Sequence, residues 1–153
     1  MRRRKQQLWH ADVHARLRFE RGARERYPSL TVTSTGRGRG ARVIYRVVVE
    51  VPEFGARRVT ICLSNGYEPY CEQITADGPT ESPHRYSERQ LCVWRPTDPP
   101  ENRWQAEDGL LELINHVLIH LFKEAYWRET GEWLGEEAPH PPIKQPSGEQ
   151  KAA

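Results

Sequence analysis

Ser82-Pro83-His84-Arg85-Tyr86-Ser87-Glu88-Arg89-Gln90-Leu91-Cys92-Val93-Trp94-Arg95-Pro96 is the stretch on which the reading of the chain turns. It sets a His and a Cys eight residues apart, brackets them with Pro83 and Pro96, and runs into Thr97-Asp98-Pro99-Pro100. Five Pro between Asp77 and Arg103 leave little room for regular structure, and a loop that long in a small domain is usually functional. A thiol on a short apolar segment between polar loops can meet a bulky acyl group. An unperturbed thiol titrates at about 8.5, and nearby cations lower that value. His84, Arg85, Arg89 and Arg95 are the cations in reach along the chain.

Upstream, the pattern has period two. Leu30 to Thr35 is β-branched and alternating, so a short strand is expected. Arg42 to Val51 is the strongest strand, with Val43, Tyr45, Val47, Val49 and Val51 on one side. Ile44 and Val48 fall on the other side, which predicts a central strand covered on both faces. Arg58 to Leu63 returns after the turn at Pro52 to Gly55, and Tyr70 to Ala76 follows the Asn65-Gly66 turn. Gly36-Arg37-Gly38-Arg39-Gly40 reads as a hairpin loop. Four strands joined by short turns make an antiparallel meander.

Helices flank the meander. Residues 4–25 are expected to be helical, with Trp9, Val13 and Leu17 as the apolar face, ending at Tyr27-Pro28. Glu107 to Arg128 is the best helix, about six turns at 3.6 residues each. Leu110, Leu111, Ile114, Val117, Leu118, Leu121, Phe122 and Ala125 give it an apolar stripe suited to one face of the sheet. Gly131 is the expected stop, and Glu132 to Gly135 is expected to begin another short turn or helix. The fold class is therefore α+β: N-terminal helix, four-stranded antiparallel meander, Cys-bearing loop segment, long C-terminal helix. One domain over 1–143 is expected, with 144–153 a disordered tail.

Composition narrows the function. Residues 1–58 hold fifteen Lys or Arg and five acids, whereas 59–153 hold eight and sixteen. That asymmetry predicts a basic face, read first as a solvated surface and only last as a nucleic-acid site, since nothing resembles a base-reading motif. No apolar run of eighteen residues exists, so no membrane partner is expected. Met1-Arg2-Arg3-Arg4-Lys5 leads into a charged stretch, so a cytoplasmic location is expected. Three Cys fit a reducing compartment better than a disulfide framework.

The order of parts resembles that of ubiquitin-conjugating enzymes over roughly residues 5–130. Tyr67-Glu68-Pro69 resembles the family's Tyr-Pro segment, Pro83-His84 its His-Pro-Asn region, Leu91-Cys92-Val93 its active Cys, and Trp104 the Trp that follows. Leu121 to Gly135 and Ala138-Pro139-His140 resemble the C-terminal region of bacterial members associated with antiphage CBASS operons. The resemblance implies a thioester at Cys92 with an activated protein C-terminus. The donor it implies is a cGAS-like nucleotidyltransferase or a ubiquitin-like protein, and a Lys amine on a target protein receives it. There is no Gly-rich nucleotide loop, so a separate activating enzyme or domain is implied. No Asn follows His84, where Arg85 and Tyr86 stand, and Asn102 is the amide that would stand in for it from the other side.

Around Cys92, the candidate site residues are His84, which orients the loop or acts as a base; His140, in the extended run Pro139 to Pro146; and Asp98, placed to hold or deprotonate the incoming amine. Cys62 and Cys71 read as packing residues. His116 and His120 have metal-compatible spacing but no evident third ligand, so no metal and no cofactor is expected. The competing reading is an inactive binding module in which Cys92 is only packed.

Overall fold

In the computed structural model, which describes residues 13–36, 41–64, 71–85, 87, 90–94 and 98–135, helix α1 (Val13–Arg26) precedes four strands. These are β1 (Thr31–Thr35), β2 (Arg42–Val51), β3 (Gly55–Ser64) and β4 (Cys71–Ala76), followed by helix α2 (Gly109–Thr130). The start expected for the first helix, the loop 37–40, Asn65-Gly66, Tyr67-Glu68-Pro69, Tyr86, Arg89, Arg95, Pro96, His140 and the tail lie outside the described residues.

The strands form one antiparallel sheet in the order β1-β2-β3-β4, the expected meander. Val43, Tyr45, Val47, Val49 and Val51 of β2 share a face with Val59, Ile61 and Leu63 of β3 and Ile74 of β4. Helix α2 covers that face with Leu110, Leu113, Ile114, Val117 and Leu121, all buried in the same cluster. The opposite face is open: Val48 is 42% exposed and Ile44 half-buried. Cover on both faces was expected of β2. Its two outward apolar residues lie among exposed Arg42, Arg46 and Glu50, and such a face is compatible with water.

The first helix corrects its expected face too. Val13 is 71% and Leu17 53% exposed, whereas Phe19, Glu20, Ala23 and Tyr27 are buried. The i, i+4 rhythm of apolar residues marked the wrong side because the buried side carries a carboxylate. Glu20 accepts hydrogen bonds from Arg16 Nε (2.8 Å), Arg24 Nε (2.8 Å) and the Tyr45 hydroxyl (2.7 Å), which join α1 to β2. Burial pushes the Glu20 carboxyl up, but these donors outweigh it and hold the group below its ordinary value. Gly22 lets α1 approach α2, since a Cβ there would stand 3.1 Å from Leu111 Cδ2.

Among the described residues, the basic side chains of the first third are divided between engaged and exposed positions. Arg16 and Arg24 are engaged by Glu20, Arg57 is turned inward and buried, and Arg18 and Arg21 are exposed on α1.

Helix α2 begins at Gly109, two residues later than expected. The 3-10 turn Ala106–Asp108 precedes it, and the Trp104 indole N–H donates to the Gly109 carbonyl (2.8 Å). Gly131, at φ 79°, ends α2 as expected. Residues 132–134 are irregular rather than helical.

Leu113 is fully buried, so Leu113→Ala should cost about 2–5 kcal/mol of stability. Leu17→Ala should stay within about 0.5 kcal/mol. Urea denaturation of the two variants checks the face assignment of both helices.

Candidate active site

Cys92 follows the short apolar step Leu91 on a segment that lies along the open edge of β4. Leu91 N–H donates to the Ile74 carbonyl (2.9 Å), and Gln90 bridges to Thr75. The same segment doubles back on itself. Arg85 bridges to Leu91, and Cys92 N–H donates to the His84 carbonyl (3.2 Å). The structure thus brings His84 and Cys92 together through the main chain, although eight residues separate them. The Cys92 thiol faces the Trp94 carbonyl at 3.8 Å. Beyond it, the Trp94 ring lies 6.2 Å from Trp104 and 6.3 Å from His116, so α2 and the residues before it brace the Cys92 segment from below.

Cys92 is 8% exposed, close to the 7% of Cys62, but their settings differ. Cys62 lies inside β3, paired with Ile44 on one side and Gln73 on the other. Cys92 lies outside every named strand and helix. Asp98 is half-buried ahead of the 3-10 turn Pro100–Asn102, and Asn102 is exposed in that turn.

Three arginines hold the approach to this segment by its main-chain carbonyls. Arg57 Nε donates to the Asp77 carbonyl (2.6 Å), Arg85 to Pro79 (3.2 Å) and Arg128 to Glu81 (3.0 Å). Gly78, at φ 82°, makes room for them, because a Cβ there would meet Arg57 Nε at 3.0 Å.

Sequence reasoning missed Glu124. It is fully buried on α2, and Arg85 grips it with two bonds, Nε to Oε2 (2.8 Å) and an Nη to Oε1 (2.7 Å). His120, one turn earlier on the helix, places Nε2 3.4 Å from Oε2. Arg85 had been expected to lower the thiol's pKa; its charge is instead engaged by this carboxylate. His120 is buried beside Glu124. Trp133, in the irregular stretch after α2, packs its ring 4.2 Å from His84 and 5.6 Å from His120. A charged residue at the i+4 position from a His, within an apolar stripe, was the available signal for Glu124.

A long helix over one face of a four-stranded meander, with a Cys-bearing segment bridged to the sheet edge, makes an α+β protein with the architecture expected of the ubiquitin-conjugating-like class. The family model described as type II CBASS E2 protein matches residues 11–141, and the chain belongs to that family. It is therefore a bacterial E2-like protein of CBASS, with the antiviral-defence setting and the protein partners that this pathway entails. No curated protein matches the chain. Among the described residues, no helix is long and apolar enough to cross a membrane, and no cluster of three His, Cys, Asp or Glu is arranged to hold a metal.

Burial pushes the Glu124 carboxyl up, but the hydrogen bonds from Arg85 and then the adjacent His120 imidazole, with Ser82 adding to them, hold it at about 2 against an ordinary 4.5. A folded-state value below the unfolded one gives stability that is present above the unfolded value and lost as pH falls toward the folded one. The contribution is on the order of 3 kcal/mol. Glu124→Gln should be less stable than wild type at pH 7, and the gap should narrow between about pH 5 and pH 2. Denaturant midpoints across that range measure it, and the Glu20 carboxyl, present in both proteins, cancels in the difference.

Proposed function

We propose that this protein carries an activated protein C-terminus as a thioester on Cys92 and transfers it to a Lys amine. The observation that carries the reading is the placement of Cys92: off the strands, on a segment bridged to the sheet edge, with its N–H held by the His84 carbonyl. The Cys92 thiolate adds to the donor's carbonyl carbon, and the activating group leaves with its electron pair, giving the thioester. The amine then adds to the same carbon, the C–S bond breaks, the thiolate is restored and the ammonium proton passes to solvent or base. Within CBASS the donor is a cGAS-like nucleotidyltransferase, supplied by a separate activating enzyme or domain. His84 serves by holding the Cys92 main chain, while Asp98 and His140 rest on sequence position alone and enter no step here.

Incubated with activating partner and donor, the wild type should form a DTT-sensitive adduct on denaturing gels. Cys92→Ala should abolish it, and Cys92→Ser should leave at most a DTT-resistant ester. Conjugation by Cys92→Ala would end the enzyme reading.

One observation favours a second reading, a catalytically inactive binding module: Cys92 is as buried as Cys62. Cys62 then serves as an internal reference. Iodoacetamide should modify Cys92 well before Cys62 in the native protein if Cys92 carries an acyl group, and no faster if it is only packed.

A further inference from the structure

The Arg85–Glu124 pair is a poor investment in stability alone. Its side chains are 3% and 0% exposed, and two charges removed from water lose hydration that their attraction barely restores. A well-packed apolar pair in such a place is often as stable or more so. What two parallel charge-assisted bonds supply, and apolar contact does not, is direction. The direction here leads to the thiol. Glu124 fixes the Arg85 side chain, Arg85 bridges in its main chain to Leu91, and Leu91 is followed by Cys92, whose N–H binds the His84 carbonyl. The same helix face presents His120, and Trp133 packs against both His120 and His84. The residues on either side of the bridge, His84 and Cys92, are thus referred to a rigid helix that lies 39 residues from Arg85 along the chain.

We infer that Glu124 is a positioning residue for the Cys92 thiol, acting through Arg85 to hold the bridged pair Arg85 and Leu91, and with it the bonded His84 and Cys92, in the geometry that acyl transfer needs. The inference rests on the reading that Cys92 carries the acyl group. It assigns Glu124 no contact with donor or amine. Its effect falls on the rate of the chemical step rather than on amine binding.

The test uses the full chain as wild type, as Glu124→Gln, and as the double variant Arg85→Met with Glu124→Leu, which replaces the pair by apolar side chains of similar volume. Each is loaded with donor, the activating partner is quenched, and single-turnover discharge onto free lysine is followed across lysine concentrations. Thermal melting is recorded alongside. The double variant should melt within about 5 °C of wild type. Its maximal discharge rate should fall about tenfold to a hundredfold, with half-saturating lysine unchanged. Glu124→Gln, which keeps the size and one acceptor, should fall between the two. A double variant with native melting and a wild-type discharge rate overturns the inference, and so does a slowing that appears entirely as weaker lysine binding. Melting far below wild type in both variants assigns the pair to folding and also overturns it. Native-state alkylation of Cys92 by iodoacetamide separates this outcome from failure of the acyl-carrier reading, because it needs no donor. If wild type never loads, the acyl reading fails, and the pair is judged by alkylation. Faster modification of Cys92 when the pair is broken, with Cys62 unchanged, upholds the positional role, and an unchanged rate overturns it.

Discussion

A guanidinium and a carboxylate, both withdrawn from water, connect the long helix to the loop that bears the candidate nucleophile. Arg85 contributes two donors in a rigid fork and Glu124 two acceptors in one plane, so the contact specifies orientation as well as distance. Remove either partner and the other is left charged in an apolar surround, which is far costlier than the pair itself. Among its described residues, the loop between Asp77 and Arg103 lies mostly outside regular helix and strand. It is held instead by arginines from three elements: Arg57 on β3, Arg85 within the loop and Arg128 on α2. That is how a Pro-rich stretch becomes ordered enough to place a side chain.

The same device appears at the other end of the molecule. Glu20 lies on α1 as Glu124 lies on α2, buried and surrounded by donors, and it reaches β2 through the Tyr45 hydroxyl. Burial together with the charge on Glu20 pushes the Tyr45 phenol up, so the hydroxyl remains a donor at any physiological pH. Helix α1 has a thin apolar face, and its attachment depends on this network as much as on Phe19 and Ala23. Helix α2 has the reverse balance, a broad apolar stripe with one polar interruption. That interruption is where Arg85 is held.

These arrangements fit an E2-like protein of a CBASS pathway. On the proposed reading, a nucleophile that must meet large protein partners gains from a firmly supported segment at the sheet edge. The main-chain bridge between His84 and Cys92 supplies that support without using either side chain.

Much of this was legible from residue order. Alternation in Arg42 to Val51 and the apolar stripe from Leu110 to Ala125 set the meander and its covering helix, because the hydrophobic effect acts on periodicity that any reader can count. Gly131 as a stop came from local chemistry in the same way. Three things required the folded molecule. The buried side of α1 is marked by a carboxylate, so counting apolar residues selected Val13 and Leu17, which are exposed. The outward residues of β2 were taken for buried ones, because strand pattern alone does not reveal whether a second layer exists. The partnership of Arg85 with Glu124, and of Trp133 with His84, joins positions far apart in the chain. Periodicity is a property of neighbours along the backbone, whereas compensation of a buried charge is decided by whatever side chain the fold brings within 3 Å, and only the tertiary structure makes that choice.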